Sequence, residues 1–231
     1  MLGSQPSSSI RWNSEGQVFS AQLPLQACVH QNGERVSRVI IAMHGYGDNA
    51  KNFSSLAHEL TLKDTLWIFL QAPEALPFPG DGGQWYELFG NPHGQFYSSL
   101  QKVIESSRII QDALKLGWNK FIFLGFSQGA FLSLFSALTH PEKVAAVVAL
   151  SGYLAQSHKL ADLPQARQDL PVFLGHGLHD QVVFPAQHFE TRDILSHFGF
   201  QNITAKTYAG VAHSLCAEEL FDIRTFIEGL T

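Results

Sequence analysis

The sequence predicts an α/β fold with a mostly parallel central sheet and helices on both faces. Apolar runs of strand length alternate with longer segments of helical periodicity, which is the pattern of repeated β-α units. The strand runs are almost continuously apolar, as strands buried on both faces must be, rather than alternating. At 231 residues, 45% hydrophobic and 15% charged, the chain is long and apolar enough to bury one large core. A single domain over 1–231 is therefore expected, with no internal repeat and a loosely ordered segment over 1–16.

The runs Val36 to Met43, Thr65 to Leu70, Phe121 to Gly125, Val144 to Leu150 and Val172 to Leu174 are β-branched or aromatic and read as parallel strands. Ile203 to Tyr208 alternates and reads as a half-exposed strand nearer an edge. A helix through Leu60 is capped at Asp48 or Asn49. Leu100, Val103, Ile104, Ile110 and Leu114 form one apolar helical stripe, which Gly117 is placed to end. A second stripe runs from Gln128 to Leu138 and stops at His140-Pro141, because the residue before proline avoids the α region. Pro185 opens a helix reaching toward Gly199, and the last helix covers Ala217 to Ile227. Ala72 to Phe96 resists this scheme, with several prolines and glycines beside Phe78, Trp85, Tyr86 and Phe89. A connection of that length inside a compact domain is more often functional than a bare surface excursion.

Charge and composition narrow the function. The net charge of -5 is spread without a basic stripe, which argues against nucleic acid. The polar start, Met1 to Arg11, lacks the apolar core of a secretion signal, and Leu2 stands where myristoylation needs glycine. No run reaches the roughly 18 apolar residues of a membrane span, so no stable membrane anchor is expected. Cys28 and Cys216 are too few for a disulfide framework and suit a reducing compartment. The expected location is the cytoplasm.

Gly125-Phe126-Ser127-Gln128-Gly129 matches G-x-S-x-G, directly after an apolar strand and directly before a helical pattern. In a nucleophile elbow the serine occupies a sharp strand-to-helix turn, and flanking glycines leave room for it. The helix start also aims backbone N–H groups and its positive dipole end at the reacting atom. The plainer reading is a glycine-rich β-α turn with an ordinary serine. The elbow reading makes the chain a serine hydrolase of the α/β-hydrolase fold, in which the partners follow in the order serine, acid, histidine.

Three histidines lie downstream of an available acid: His188, His197 and His213. His188 and His197 fall in the expected Pro185–Gly199 helix, whereas His213 sits in a small-residue loop between a strand and the last helix. Asp180 follows the strand Val172–Leu174 and so stands on the same sheet edge as Ser127. Asp162, Asp169, Asp193 and Asp222 read more simply as surface charges or caps. His176, His179 and Asp180 also have the donor types of a zinc site, but they lack a clear further ligand, so no metal or cofactor is expected. His44 reads as a loop-ordering hydrogen-bonding residue.

The charge that develops on a substrate oxygen needs preorganised donors. The backbone N–H groups of Gln128, directly after the serine, and of Tyr46, in His44-Gly45-Tyr46-Gly47-Asp48, are the candidates. Trp85 and Phe78 of the long connection, with Phe184 just past Asp180, are the candidate substrate-binding aromatics, because pockets use apolar walls with few polar groups.

The motifs HGYGD (His44–Asp48), GFSQGA (Gly125–Ala130), GLHDQVV (Gly177–Val183) and GVAHSLCAEE (Gly210–Glu219) resemble those of the phospholipase/carboxylesterase family of α/β hydrolases, which includes the acyl-protein thioesterases. The likeness runs from about Val36 to Ile227. It implies hydrolysis of short to medium acyl esters or thioesters without a cofactor, by Ser127, Asp180 and His213, with Tyr46 and Gln128 as oxyanion donors. Small-molecule esters and thioesters, acylated proteins and lysolipids are the substrate classes it implies, and it leaves a homodimer open. Position 2 departs from members that carry a lipid-anchoring cysteine there, and Tyr46 and His179 depart from the expected pattern. A non-catalytic ligand-binding protein on the same fold is the rival from another class.

Overall fold

The computed structural model describes residues 23–76, 79–88, 92–154 and 168–230, so the expected loose segment 1–16 lies outside the described residues. In chain order the strands are β1 (Ala27–Asn32), β2 (Arg38–Met43), β3 (Thr65–Leu70), β4 (Glu74–Ala75), β5 (Gly83–Gln84), β6 (Phe121–Phe126), β7 (Ala146–Leu150), β8 (Val172–Gly177) and β9 (Ile203–Tyr208). The helices are α1 (Ala50–Phe53), α2 (Ser55–Leu60), α3 (Pro92–Leu114), α4 (Gln128–Thr139), α5 (Pro185–His197) and α6 (Ala217–Glu228). Seven strands form one sheet in the order β1-β3-β2-β6-β7-β8-β9. All neighbours pair in parallel except β1, which runs antiparallel to β3. This is the mostly parallel α/β architecture that the alternating pattern predicted.

The continuous apolar runs are explained by two cores. Val39, Ile41, Met43, Phe121 and Phe123 point to the face covered by α3, α4 and α5. Ile40, Ala42, Trp67, Ile122 and Leu124 point to the face covered by α1, α2 and α6. Successive strand residues take opposite faces, so burying both faces removes the polar alternation. Helix α4 is covered on all sides: Gln128 to Leu138 are all buried, and Ser133 Oγ donates to the Ala130 carbonyl within its own turn at 2.8 Å.

Four expectations need correction. The helix through Leu60 is two short pieces, α1 capped by the Asn49 side chain (2.8 Å to the Asn52 N–H) and α2 after Ser54. Helix α3 begins at Pro92, inside the long connection, and ends at Leu114, where Lys115 takes φ 55°. Gly117 comes after that turn, in extended backbone at φ -68°. The connection also contains the β4–β5 ribbon, and β8 runs on through His176 to Gly177. These features bring the ends of β2, β3, β6 and β8 to one edge, where the candidate residues sit.

Candidate active site

Ser127 stands between β6 and α4 at φ 56°, ψ -117°, a backbone region that L-residues rarely occupy. It is held there from both sides. Its N–H donates to the Leu150 carbonyl at 2.9 Å, and its own carbonyl accepts from Ala130 and Phe131 at 3.0 and 3.3 Å, starting α4. The flanking glycines are a steric requirement. A Cβ on Gly125 would lie 2.0 Å from the Gly129 carbonyl oxygen, and one on Gly129 would lie 2.1 Å from that of Met43. The motif G-x-S-x-G thus closes a strand-to-helix turn in which backbone packs on backbone.

Asp180 follows β8 and is 2% exposed. Its Oδ1 accepts from the N–H groups of Val182 and Val183 at 2.8 and 3.0 Å. Its Oδ2 lies 2.6 Å from His213 Nδ1 and 3.3 Å from His176 Nε2. Burial alone would raise the carboxyl's pKa. The His213 hydrogen bond, the two backbone donors and the His213 charge outweigh it, and the net shift is downward. An ionised carboxylate accepts, so His213 Nδ1 carries a proton, and in the neutral ring Nε2 is the acceptor. The His213 ring packs on Phe126, the residue before Ser127, with centroids 4.8 Å apart.

The loop that carries His213 is seated on the end of β8. A Cβ on Gly177 would be 2.3 and 2.4 Å from the carbonyl oxygens of Val211 and Ala212, so only glycine lets the loop approach this closely. His179 adds two ties: its N–H donates to the Val211 carbonyl at 2.8 Å, and its Nδ1 accepts from Gly210 N–H at 3.0 Å. His176 Nε2 lies 2.8 Å from the Val183 carbonyl and therefore carries its proton there. Burial lowers the pKa of His176, against the opposing pull of that bond and of Asp180. His176 and His179 thus serve loop geometry, and among the described residues no three metal-binding side chains are gathered. His188 is buried in α5 beside His176, with burial first and the charges of His176 and Arg192 next pushing its pKa down to about 4. Neither His188 nor His197 touches Asp180; His213 does.

The His44–Asp48 loop lies against Ser127. A Cβ on Gly45 would be 3.3 Å from Ser127 Cβ. The Tyr46 N–H is spent on no hydrogen bond to a described residue, and that of Gln128, first in α4, has no partner within the helix. His44 is buried and neutral. It accepts at Nε2 from the Ala72 N–H (3.1 Å), which puts its proton on Nδ1, 2.7 Å from the Gly45 carbonyl. Burial lowers its pKa against that bond and the Asp48 charge. Its expected loop-ordering role matches this geometry.

The substrate-binding aromatics divide. Phe184 is 65% exposed at the start of α5, with exposed Val182 and Leu178 around Asp180 as an apolar rim. Phe78 lies outside the described residues. Trp85 is corrected: it is 0% exposed and offers no surface to a substrate. Its indole N–H donates to the His44 carbonyl at 2.8 Å, and its backbone N–H donates to Gln128 Oε1 at 3.0 Å. An aromatic in a Pro- and Gly-rich connection signals either a pocket wall or a buried strut, and only the partners of the indole N–H distinguish them. Residues that sequence reasoning missed are His176 as the second imidazole on Asp180, and Glu219, buried beneath Gly175 with neither carboxyl oxygen partnered among the described residues. Burial first, then Asp222, raise the Glu219 carboxyl to about 8. The spacing His176-x-x-x-Asp180 was the available signal for the first; nothing in sequence distinguishes Glu219 from its exposed neighbour Glu218.

Comparison with known proteins agrees with this geometry. The sequence profile of the phospholipase/carboxylesterase family matches residues 25–231. Acyl-protein thioesterase 1 of Candida albicans is 30% identical over 219 residues, covering 86% of this chain and 94% of that protein. The Debaryomyces hansenii acyl-protein thioesterase 1 is 33% identical over 208 residues, covering 82% and 89%. Among solved structures, esterase PE8 superimposes with a TM-score of 0.81 at 22% identity, covering 90% of this chain and 99% of that one. Zea mays acyl-protein thioesterase 2 gives 0.74 at 25% identity, covering 87% and 97%. With an elbow serine, an acid-bonded histidine and this coverage, the chain belongs to the phospholipase/carboxylesterase family of α/β hydrolases.

Proposed function

We propose that the chain, as a single domain, hydrolyses carboxylic esters or thioesters of short to medium acyl chains through an acyl-enzyme on Ser127. The observation that carries this reading is the 2.6 Å contact of His213 Nδ1 with buried Asp180, on a ring packed beside the elbow serine. In the proposed cycle, Ser127 Oγ bonds to the substrate carbonyl carbon as its proton passes to His213 Nε2. The carbonyl oxygen takes up negative charge facing the N–H groups of Tyr46 and Gln128. Collapse breaks the bond to the alcohol or thiol, which leaves with the proton from His213. Water then repeats the two steps, releasing the acid and restoring the serine hydroxyl.

The apolar rim of Leu178, Val182 and Phe184 supports an acyl chain as the group recognised. The names of the relatives support thioesters of acylated proteins as the first class to test, with lysolipids as the second. Free, partly exposed Cys28 and Cys216 support a reducing, cytoplasmic setting. No described helix is long and apolar enough to cross a membrane. The test is turnover of nitrophenyl esters and acyl thioesters of graded length by the wild type and by Ser127→Ala, Asp180→Ala and His213→Ala. Each variant should lose orders of magnitude in kcat, and turnover at the wild-type rate by His213→Ala would overturn the scheme.

A further inference from the structure

We propose that Trp85 and the side chain of Gln128 form one clamp that fixes the two oxyanion-hole loops relative to each other. The proposal rests on the reading of Ser127 as the nucleophile. The two donors come from separate parts of the chain, Tyr46 after β2 and Gln128 at the start of α4. Each must point at one developing oxygen, and donors must be held to about 0.5 Å for that.

Ala72, Gly83, Trp85 and Tyr86 are between them bonded to both loops. The Trp85 indole N–H donates to the His44 carbonyl at 2.8 Å. Its backbone N–H donates to Gln128 Oε1 at 3.0 Å, and Gln128 Nε2 donates to the Tyr86 carbonyl at 2.8 Å. On the far side of Tyr46, Gly47 N–H donates to the Gly83 carbonyl at 2.9 Å, and Gly83 N–H donates to the Asp48 carbonyl at 2.8 Å. The Ala72 N–H donates to His44 Nε2 at 3.1 Å. Tyr46 is therefore bracketed by bonds at His44 and at Gly47. The clamp is itself anchored, since Ser99 Oγ of α3 donates to the Trp85 carbonyl at 2.6 Å.

Trp85, Gln128, His44 and Ser99 are all buried, so water does not compete for these bonds. The elbow itself explains the backbone N–H of Gln128 but gives its side chain no task. The clamp accounts for a buried amide bonded at both its oxygen and its nitrogen, and for an indole with no exposed surface. Both side chains are positioning residues: they act through donors that other atoms supply.

The test compares Trp85→Phe, which keeps an aromatic ring but loses the indole donor, with Gln128→Met, which keeps the backbone N–H and loses both amide bonds. For each, kcat and KM on a nitrophenyl ester are measured per site titrated with a fluorophosphonate. The affinity for an alkylboronic acid is measured beside them, because its serine adduct places an oxygen in the oxyanion hole. Each variant should lower kcat by about tenfold or more with KM within about threefold, and should weaken the boronic acid by a matching factor. The double variant should be little worse than the worse single one, since both belong to one network. Melting temperatures that fall while kcat and boronic acid affinity stay within about twofold of wild type would assign the pair to packing alone and overturn the clamp. If Trp85→Phe does not fold, Gln128→Met decides by the same two readouts. A wild type that neither turns over ester nor labels at Ser127 would overturn the nucleophile reading itself, which is a different result from an active wild type with unaltered variants.

Discussion

Asp180 is almost wholly buried yet holds its charge, because two backbone N–H groups and the His213 ring meet its oxygens. The resulting dyad sets a pH dependence. A protonated imidazole cannot take the serine proton, so kcat/KM for a neutral ester should fall on acidification. A pH profile on an uncharged nitrophenyl ester checks this, and a flat profile from pH 5 to 8 contradicts it. Glu219 sets a dependence of opposite sense and on stability. Its carboxyl titrates at about 8 in the fold against an ordinary 4.5, because of burial first and Asp222 second. The unfolded carboxyl ionises above its ordinary value while the folded one stays neutral. The stability it contributes is thus complete below the ordinary value and is lost as pH rises toward about 8. The cost at the alkaline end is on the order of a few kcal/mol. Glu219→Gln should therefore melt at a higher temperature than wild type at pH 8, by an amount that shrinks toward pH 5. A difference independent of pH would contradict this.

At the scale of elements, sequence reading succeeded wherever burial left a simple signature. The central strands carry unbroken apolar runs because both faces are covered, and the elbow was legible because Gly125 and Gly129 are steric necessities. Edge strand β1 escaped notice: ACVHQN is short and half polar, with only Ala27 and Val29 buried. The break between α1 and α2 is likewise local, and the long connection hid both the β4–β5 ribbon and the first turns of α3. Trp85 was legible as unusual but not as buried, since nothing in its neighbours' identities states where an indole N–H points. Of the proposed catalytic set, Ser127, Asp180 and His213 were nominated from strand ends and loop position, whereas the second imidazole on Asp180 depended on β8 continuing to Gly177. The contact at Gly177 yields a prediction for the base loop. Gly177→Ala would drive a methyl into the Val211 and Ala212 carbonyls and displace His213. A displacement of about 1 Å can cost about a hundredfold in rate, so kcat should fall by that order in protein that still melts cooperatively. Unchanged kcat would show that the loop is not seated there.

Across the whole molecule, the sheet places its chemistry on one edge. The loops after β2, β6, β8 and β9 converge beside Ser127, as open parallel sheets bring ligands to the carboxyl ends of their strands. Exposed Phe184 stands at the start of α5, directly after the acid loop. If it contacts the acyl chain, Phe184→Ala should lower the preference for longer over shorter acyl groups while leaving the shortest substrate little affected, since each buried methylene is worth about 0.8 kcal/mol. Hydrolysis rates across an acyl-length series check this, and an equal drop at every length contradicts it. The expectations about rate depend on one covalent event at the elbow. The most direct measurement is intact-protein and peptide mass spectrometry after reaction with a fluorophosphonate. One adduct per chain, located on Ser127 and absent from Ser127→Ala, is the predicted result; an adduct that persists undiminished in Ser127→Ala would contradict it.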